Sequence, residues 1–222
     1  GDIEDLAESL LDRMETAPLN TLGPGVGAVI RDAAGRTISR LPAPERWTTF
    51  ELLDIERRAL DTAHVLLGAE RTVCADAALL AALRATPSPL SDEQAAAVIR
   101  MTQSGNGVDV LTAPAGAGKT FAFAAARDAW ERSGHRVVGA AHTGVAADEL
   151  SMAAGIPSTT IARLLIAIDR GEPGGLDERT VLVIDEAGTA GTRDLGRILD
   201  EVHRTGAKAV LVGDPKQLTE IA

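Results

Sequence analysis

Hydrophobic residues in the second half of the chain occur in short runs. Longer stretches of mixed apolar and polar residues separate these runs. Four of these runs predict buried strands, at residues 108–112, 137–141, 181–184 and 209–212. The stretches between them have apolar residues three or four positions apart, which predicts helices at residues 121–130, 144–153, 158–170 and 192–203. Strands that alternate with helices favour an α/β fold, in which a parallel sheet is flanked by helices on both faces.

The first half of the chain has mainly helical spacing. Predicted helices cover residues 2–15, 48–67, 76–84 and 91–103. Thr48 with Glu51, and Ser91 with Gln94, match the capping-box pattern at the starts of two of them. The remaining residues predict a loop at 18–27, a hairpin of 26–31 with 37–40, and a short strand at 71–74.

Two proline-containing linkers, at residues 41–44 and 86–89, indicate the domain organisation. Residues 1–44 are then a linker or the end of a preceding domain, and residues 45–89 are a small helical accessory region. Residues 90–222 are the α/β domain. The chain begins with Gly1 and ends just after a predicted strand. We therefore expect a fragment of a longer protein, whose α/β domain is truncated at its C-terminal end.

Composition narrows the class of protein. The 222 residues are 45% hydrophobic, which is enough to form a core, and a single cysteine excludes an internal disulfide. No apolar run is long enough to cross a membrane and there is no signal peptide, so we expect a cytoplasmic protein. A formal net charge of −10 argues against a dedicated DNA-binding domain, although a local basic groove is compatible with it.

The segment from Ala113 to Thr120 reads APAGAGKT and lies between a predicted strand and a predicted helix. This arrangement is typical of a phosphate-binding P-loop, in which backbone N–H groups and the helix N-terminus surround an anion. Lys119 is expected to bridge the β- and γ-phosphates of ATP, and Thr120 to offer its hydroxyl to Mg²⁺. Ala113 stands where this motif usually has glycine. The predicted cofactor-binding residues are Pro114, Ala115, Gly116, Ala117, Gly118, Lys119, Thr120 and Phe121.

Two further strands end in polar residues that suit the same chemistry. The predicted strand 181–184 is followed by Asp185, a candidate Mg²⁺ ligand, and Glu186, a candidate to orient or deprotonate the attacking water. An acidic pair that merely ends a strand is the alternative, and the upstream P-loop favours catalysis. Gln217 follows the strand 209–212 and could contact both the γ-phosphate and the water. The predicted catalytic residues are thus Glu186, Lys119 and Gln217, and in a parallel sheet they meet at the carboxyl ends of the strands.

The order of these motifs resembles that of superfamily-1 DNA helicases, whose motor is a RecA-like P-loop NTPase domain. Residues 90–94 are similar to the Q motif of that family, which implies that Gln94 contacts adenine. Residues 141–147 and 158–165 resemble its motifs Ia and Ib. The resemblance implies that single-stranded DNA contacts His142, Thr143, Gly144 and Thr160.

The resemblance is most specific to the helicase region of MobF-type conjugative relaxases, within superfamily 1B. It implies 5′-to-3′ movement, a second RecA-like domain after residue 222, an N-terminal relaxase domain, and weak hydrolysis by this chain alone. The chain contains no tyrosine, so it lacks the nucleophile for nicking DNA. Two alternatives stay open: a P-loop ATPase of DNA repair or phage origin without unwinding activity, and a degenerate module that binds DNA or a partner.

Overall fold

The computed structural model describes residues 16–19, 46–112, 118–172 and 174–213. The chain divides into two compact units, Gly1–Ile55 and Glu56–Ala222. The elements, in chain order, are β1 (Thr16–Leu19), β2 (Arg46–Thr49), α1 (Phe50–Leu66), α2 (Asp76–Ala85), α3 (Asp92–Gln103), β3 (Val108–Thr112), α4 (Lys119–Arg132), β4 (Arg136–Ala141), α5 (Gly144–Ala154), β5 (Ser158–Thr160), α6 (Ile161–Arg170), β6 (Thr180–Ile184), a 3-10 turn (Ala187–Thr189), α7 (Thr192–Thr205) and β7 (Lys208–Gly213). In the first unit, β1 pairs antiparallel with β2.

The second unit contains a five-stranded parallel sheet in the order β3-β7-β6-β4-β5. Thr112 of β3 pairs with Gly213 of β7, and Ala141 of β4 pairs with Thr160 of β5. This register places the carboxyl ends of the strands along one edge of the sheet. The prediction of an α/β domain built on a parallel sheet is confirmed.

Side chains from the two faces of the sheet contribute to separate hydrophobic cores. Val181 and Val183 of β6 pack with α2, α3, α4 and α5, whereas Leu182 and Ile184 pack with α1, α6 and α7. Helix α4 presents alanines to the sheet, and its Trp130 is fully buried. Because both faces are covered, β6 has a continuous apolar sequence rather than an alternating one.

A buried ion pair lies at the opposite, amino-terminal edge of the sheet. The Nζ of Lys208 in β7 donates to Asp109 Oδ2 in β3 at 2.7 Å, and the Lys208 side chain is only 1% exposed. Asp109 also accepts hydrogen bonds from Ser104 Oγ at 2.6 Å and from Asn106 Nδ2 at 2.9 Å. The Lys208 ammonium further donates to the carbonyl of Asn106 at 2.7 Å. The pair therefore ties together β3, β7 and the turn that precedes β3.

Several sequence predictions differ from the structure near the ends of elements. Helix α1 begins at Phe50 rather than at residue 48, and Thr49 rather than the predicted Thr48 caps it: Thr49 Oγ1 accepts from the Leu52 backbone N–H at 3.1 Å. Residues 71–74 do not form a strand. Thr72 there has a left-handed backbone with φ of +47°, and Cys74 donates instead to the carbonyl of Thr102.

Two predicted loop or helix segments contain strands. Pro18 and Leu19, predicted within a loop, belong to β1, where pairing with β2 decides the conformation. Residues 158–160, predicted as the start of a helix, form β5. Their backbone pairs with β4, and β5 is the outermost strand of the sheet. The helix predicted at 2–15, the hairpin of 26–31 with 37–40 and the linker at 41–44 lie outside the described residues.

The packing of α2 and α3 bears on domain organisation. Leu79 and Ala82 of α2 and Val98 and Met101 of α3 belong to the same core as α4. The sequence predicts domain boundaries after residues 44 and 89, whereas the chain divides into its two compact units after Ile55. The assignment of residues 45–89 to a separate accessory region stays a prediction.

Candidate active site

The carboxyl edge of the sheet gathers most of the predicted site residues that the structure describes. Lys119 lies at the start of the helix that follows β3, Asp185 and Glu186 directly follow β6, and Gly213 ends β7. Adjacent strands lie about 4.8 Å apart. Because β7 pairs with both β3 and β6, the ends of these three strands are neighbours. Residues 113–117 and Gln217 are outside the described residues.

The start of α4 depends on Gly118. Its φ of +70° is in the left-handed region, and a Cβ at this position would lie 2.4 Å from Gln94 Nε2. The left-handed φ favours glycine there, because any other side chain would be strained, whereas the end of the flexible Gln94 side chain could move aside. The N-cap residue of α4, Gly118, makes no side-chain hydrogen bond to the first turn, which contains Lys119, Thr120 and Phe121. The Phe121 N–H donates to the Gly118 carbonyl at 3.1 Å. The N–H groups that precede it at a helix start are the kind that bind an anion, as the P-loop interpretation requires.

Gln94 joins the starts of two helices. Its Oε1 accepts from the Ser91 backbone N–H at 3.0 Å and its backbone N–H donates to Ser91 Oγ at 3.2 Å, which confirms the predicted capping box. Its Nε2 donates to the carbonyl of Gly118 at 3.4 Å. The side-chain amide thus lies beside the end of the P-loop segment. Its contact with adenine stays a prediction.

The carboxylates after β6 occur at a sharp change of backbone direction. Asp185 N–H donates to the carbonyl of Ala140 at 3.0 Å, which extends the sheet by one residue. Glu186 then adopts a left-handed conformation with φ of +52°, which costs a non-glycine residue about 1 kcal/mol. Its N–H donates to Asp185 Oδ1 at 2.9 Å. Backbone strain of this kind is concentrated at functional sites.

The donor set suits Mg²⁺ in the presence of a nucleotide. The described residues contain no cluster of three or more His, Cys, Asp or Glu side chains that could hold a metal by themselves. Magnesium is usually bound through one or two protein oxygens together with phosphate oxygens and water. The hydroxyl of Thr120 and the carboxylate of Asp185 are oxygen donors of that kind, so the residues present fit the ion.

The predicted DNA-contacting residues lie at the ends of the next two strands. His142, Thr143 and Gly144 are exposed after β4. Thr143 Oγ1 accepts from Ala146 N–H at 3.2 Å, and Thr160 Oγ1 accepts from Arg163 N–H at the same distance. Both threonines therefore cap helices, a structural role that the sequence prediction did not include. Contact of these residues with DNA stays a prediction.

One residue of the site was missed from the sequence. Thr189 ends the 3-10 turn and its Oγ1 donates to the carbonyl of Glu186 at 2.8 Å. Threonine side chains often donate to a backbone carbonyl three or four residues earlier, and this spacing is the signal that could have identified Thr189.

No helix among the described residues has the length and apolar character needed to cross a membrane.

Comparison with known proteins identifies the family of the domain that contains the parallel sheet. A family model described as an AAA domain matches residues 89–222, which is more than half of the chain. The chain belongs to the AAA domain family. The matched region of this AAA domain starts just before α3 and contains the whole five-stranded sheet.

The AAA domain also has relatives among proteins of conjugation. The chain is 39% identical over 178 residues to the conjugal transfer protein TraA of Agrobacterium fabrum, and 37% identical over 179 residues to a probable conjugal transfer protein TraA of Sinorhizobium fredii. A third TraA, from Rhizobium radiobacter, is 38% identical over 178 residues. These matches cover 80% to 81% of the chain but only 16% of each relative. The resemblance to conjugative transfer proteins is confirmed.

Proposed function

We propose that this AAA domain is the ATP-binding and ATP-hydrolysing motor domain of a DNA helicase that acts on single-stranded DNA during conjugative plasmid transfer. The main support is the edge of the sheet, where the P-loop helix, the acidic pair after β6 and the end of β7 are neighbours. The relatives, which are named as conjugal transfer proteins, add the context of conjugation.

The proposed chemistry assigns one task to each group. Lys119 and the N–H groups at the start of α4 bind the β- and γ-phosphates, so that negative charge is neutralised where the bond breaks. Thr120 and Asp185 would hold Mg²⁺, which would supply positive charge beside the phosphate oxygens. Glu186 accepts a proton as a water oxygen attacks the γ-phosphorus, and ADP leaves with the bridging oxygen. Gln217 orients that water.

The proposed partners follow from the assignment of a helicase motor domain. Single-stranded DNA is expected to cross the ends of β4 and β5, where His142 and Thr160 are located, with 5′-to-3′ movement along the strand. A second RecA-like domain of the same protein is proposed to close over the nucleotide, so hydrolysis by this chain alone is expected to be slow. An N-terminal relaxase domain and a cytoplasmic location complete the proposal.

The proposed DNA contact predicts that this chain binds a labelled single-stranded oligonucleotide, with affinity that falls as salt rises. His142→Ala is expected to weaken binding at least about fivefold, since a stacking contact contributes roughly 1–3 kcal/mol. The measurement is fluorescence anisotropy at several salt concentrations, with single-stranded and duplex DNA compared.

A matched control is His203→Ala, because His203 lies in the last turn of α7, at the opposite edge of the sheet. Equal affinity of the two variants would remove the proposed DNA path across β4. No binding of single-stranded DNA by the folded chain would favour the alternative of an ATPase without unwinding activity.

A further inference from the structure

The carbonyl oxygen of Glu186 accepts two hydrogen bonds from the same residue. Thr189 donates to it through its backbone N–H at 2.8 Å and through its Oγ1 at 2.8 Å. On the other side of Glu186, the backbone N–H donates to Asp185 Oδ1 at 2.9 Å. Both polar backbone groups of Glu186 are thus held by neighbouring residues.

These bonds maintain a conformation that Glu186 would not adopt readily by itself. Its backbone, with φ of +52° and ψ of +39°, is left-handed, and non-glycine residues keep such a conformation only where the surroundings impose it. The direction of the Cα–Cβ bond depends on these two dihedral angles. Loss of a restraint on the carbonyl would therefore change where the Glu186 carboxylate can reach.

We propose that Thr189 is a positioning residue for Glu186: its hydroxyl holds the carbonyl of Glu186 and thereby keeps the carboxylate aligned with the attacking water. This inference rests on the proposed function, because it assigns Thr189 a part in hydrolysis through the base. Nucleotide binding does not depend on that alignment, so the hydroxyl affects the hydrolysis step and leaves affinity unchanged.

The test is single-turnover ATP hydrolysis with the full 222-residue chain in excess over labelled ATP, a format that measures slow reactions. Thr189→Val, which removes the hydroxyl and keeps the shape, is expected to slow the hydrolysis step about tenfold. This is less than the roughly hundredfold cost of a 1 Å misplacement, because the Thr189 N–H still donates to the Glu186 carbonyl. Affinity for an ATP analogue should stay within twofold. Thr189→Ser, which restores the hydroxyl, should recover most of the rate.

Two further variants distinguish positioning from general loosening of the fold. Thr205→Val removes a similar hydrogen bond, from Thr205 Oγ1 to the carbonyl of Glu201 at 2.7 Å, at the far end of α7, and should leave hydrolysis unchanged. In a Glu186→Gln background, Thr189→Val should have no additional effect, because the two residues act through the same group.

The outcomes separate this inference from the proposed function. A wild-type chain that hydrolyses ATP no faster than Lys119→Ala would overturn both. If hydrolysis depends on Lys119 and Glu186, but Thr189→Val is as active as the unmodified chain, only the role of Thr189 is overturned. Equal losses in Thr189→Ser and Thr189→Val, or an additional loss in the Glu186→Gln background, would also contradict it.

Discussion

Lys119→Ala is expected to weaken binding of a fluorescent ATP analogue about a hundredfold in the presence of Mg²⁺. Hydrogen bonds to charged groups contribute roughly 1.5–3 kcal/mol each, and every 1.4 kcal/mol is about a tenfold change in affinity. Lys119 lies half-buried in the first turn of α4, beside the glycine that starts the helix. We propose that its ammonium contacts phosphates bound at this helix end, and the measurement is an equilibrium fluorescence titration.

The control for this prediction removes the same positive charge elsewhere. The Arg204 side chain is 70% exposed in the last turn of α7, at the opposite edge of the sheet, and pairs with Glu201 in the same helix. Arg204→Ala should bind the analogue like the unmodified chain. If the Lys119 variant binds as tightly as the Arg204 variant, the phosphates do not contact Lys119 and the P-loop assignment fails.

Asp109→Ala is expected to lower the free energy of unfolding by about 3–5 kcal/mol, the usual cost of leaving one member of a buried ion pair without its partner. The Lys208 ammonium would stay buried without the carboxylate that it contacts at 2.7 Å. Urea denaturation followed by circular dichroism measures the effect. Asp169→Ala is the matched control, since Asp169 pairs with Arg197 on the exposed surface, and it should cost less than about 1 kcal/mol.

The effect of pH on this variant has a defined sign. Burial lowers the pKa of Lys208 below its usual value of 10.5, while contact with Asp109 raises it in part. Without Asp109 the folded-state pKa falls further. Between that pKa and 10.5 the unfolded chain then binds more protons than the folded chain, so stability rises with pH. The stability difference from the unmodified chain should therefore narrow as the solution becomes alkaline.

A double variant separates the charge from the packing. Asp109→Leu combined with Lys208→Met leaves no charge buried and is expected to recover more than half of the lost stability. A loss in the double variant as large as in Asp109→Ala would mean that the hydrogen bonds of Asp109 to Ser104 and Asn106, rather than the charge, stabilise this edge.

The parts of the fold that the sequence predicts well are those decided by burial. Strands β6 and β7 are covered on both faces, so each is a continuous apolar run that is recognisable without knowledge of its neighbours. The carboxylates of Asp185 and Glu186 stand out because they interrupt such a run. The helix predicted at residues 121–130 is present as α4, which begins two residues earlier, at Lys119.

The features that the sequence did not predict depend on contacts between distant residues. Residues 158–160 continue smoothly into the helical pattern of α6, and only pairing with β4 makes them a strand. Thr48 and Thr49 have the same capping chemistry, so local rules cannot choose between them. The pairing of Lys208 with Asp109 joins two strands that are remote in the sequence, and neither residue lies in a recognisable motif.

The left-handed conformation of Glu186 is another feature that the sequence did not predict. Sequence rules expect glycine or asparagine at such a position, whereas here a glutamate occupies it. The conformation is imposed by Asp185 and Thr189, which bond to the backbone on either side. A residue that departs from local preference at the end of a buried strand is, in this chain, a candidate for catalysis.

Hydrogen–deuterium exchange with and without a slowly hydrolysed ATP analogue and Mg²⁺ tests the central claim most directly, because it reports where the nucleotide binds. We expect slower exchange in peptides covering residues 113–122, which include the P-loop segment, and residues 184–190, which follow β6. Peptides covering residues 68–76 and 104–109, at the amino-terminal edge, should be unchanged. Protection confined to that second group, or no change in a folded chain at saturating analogue, would contradict the proposed nucleotide site.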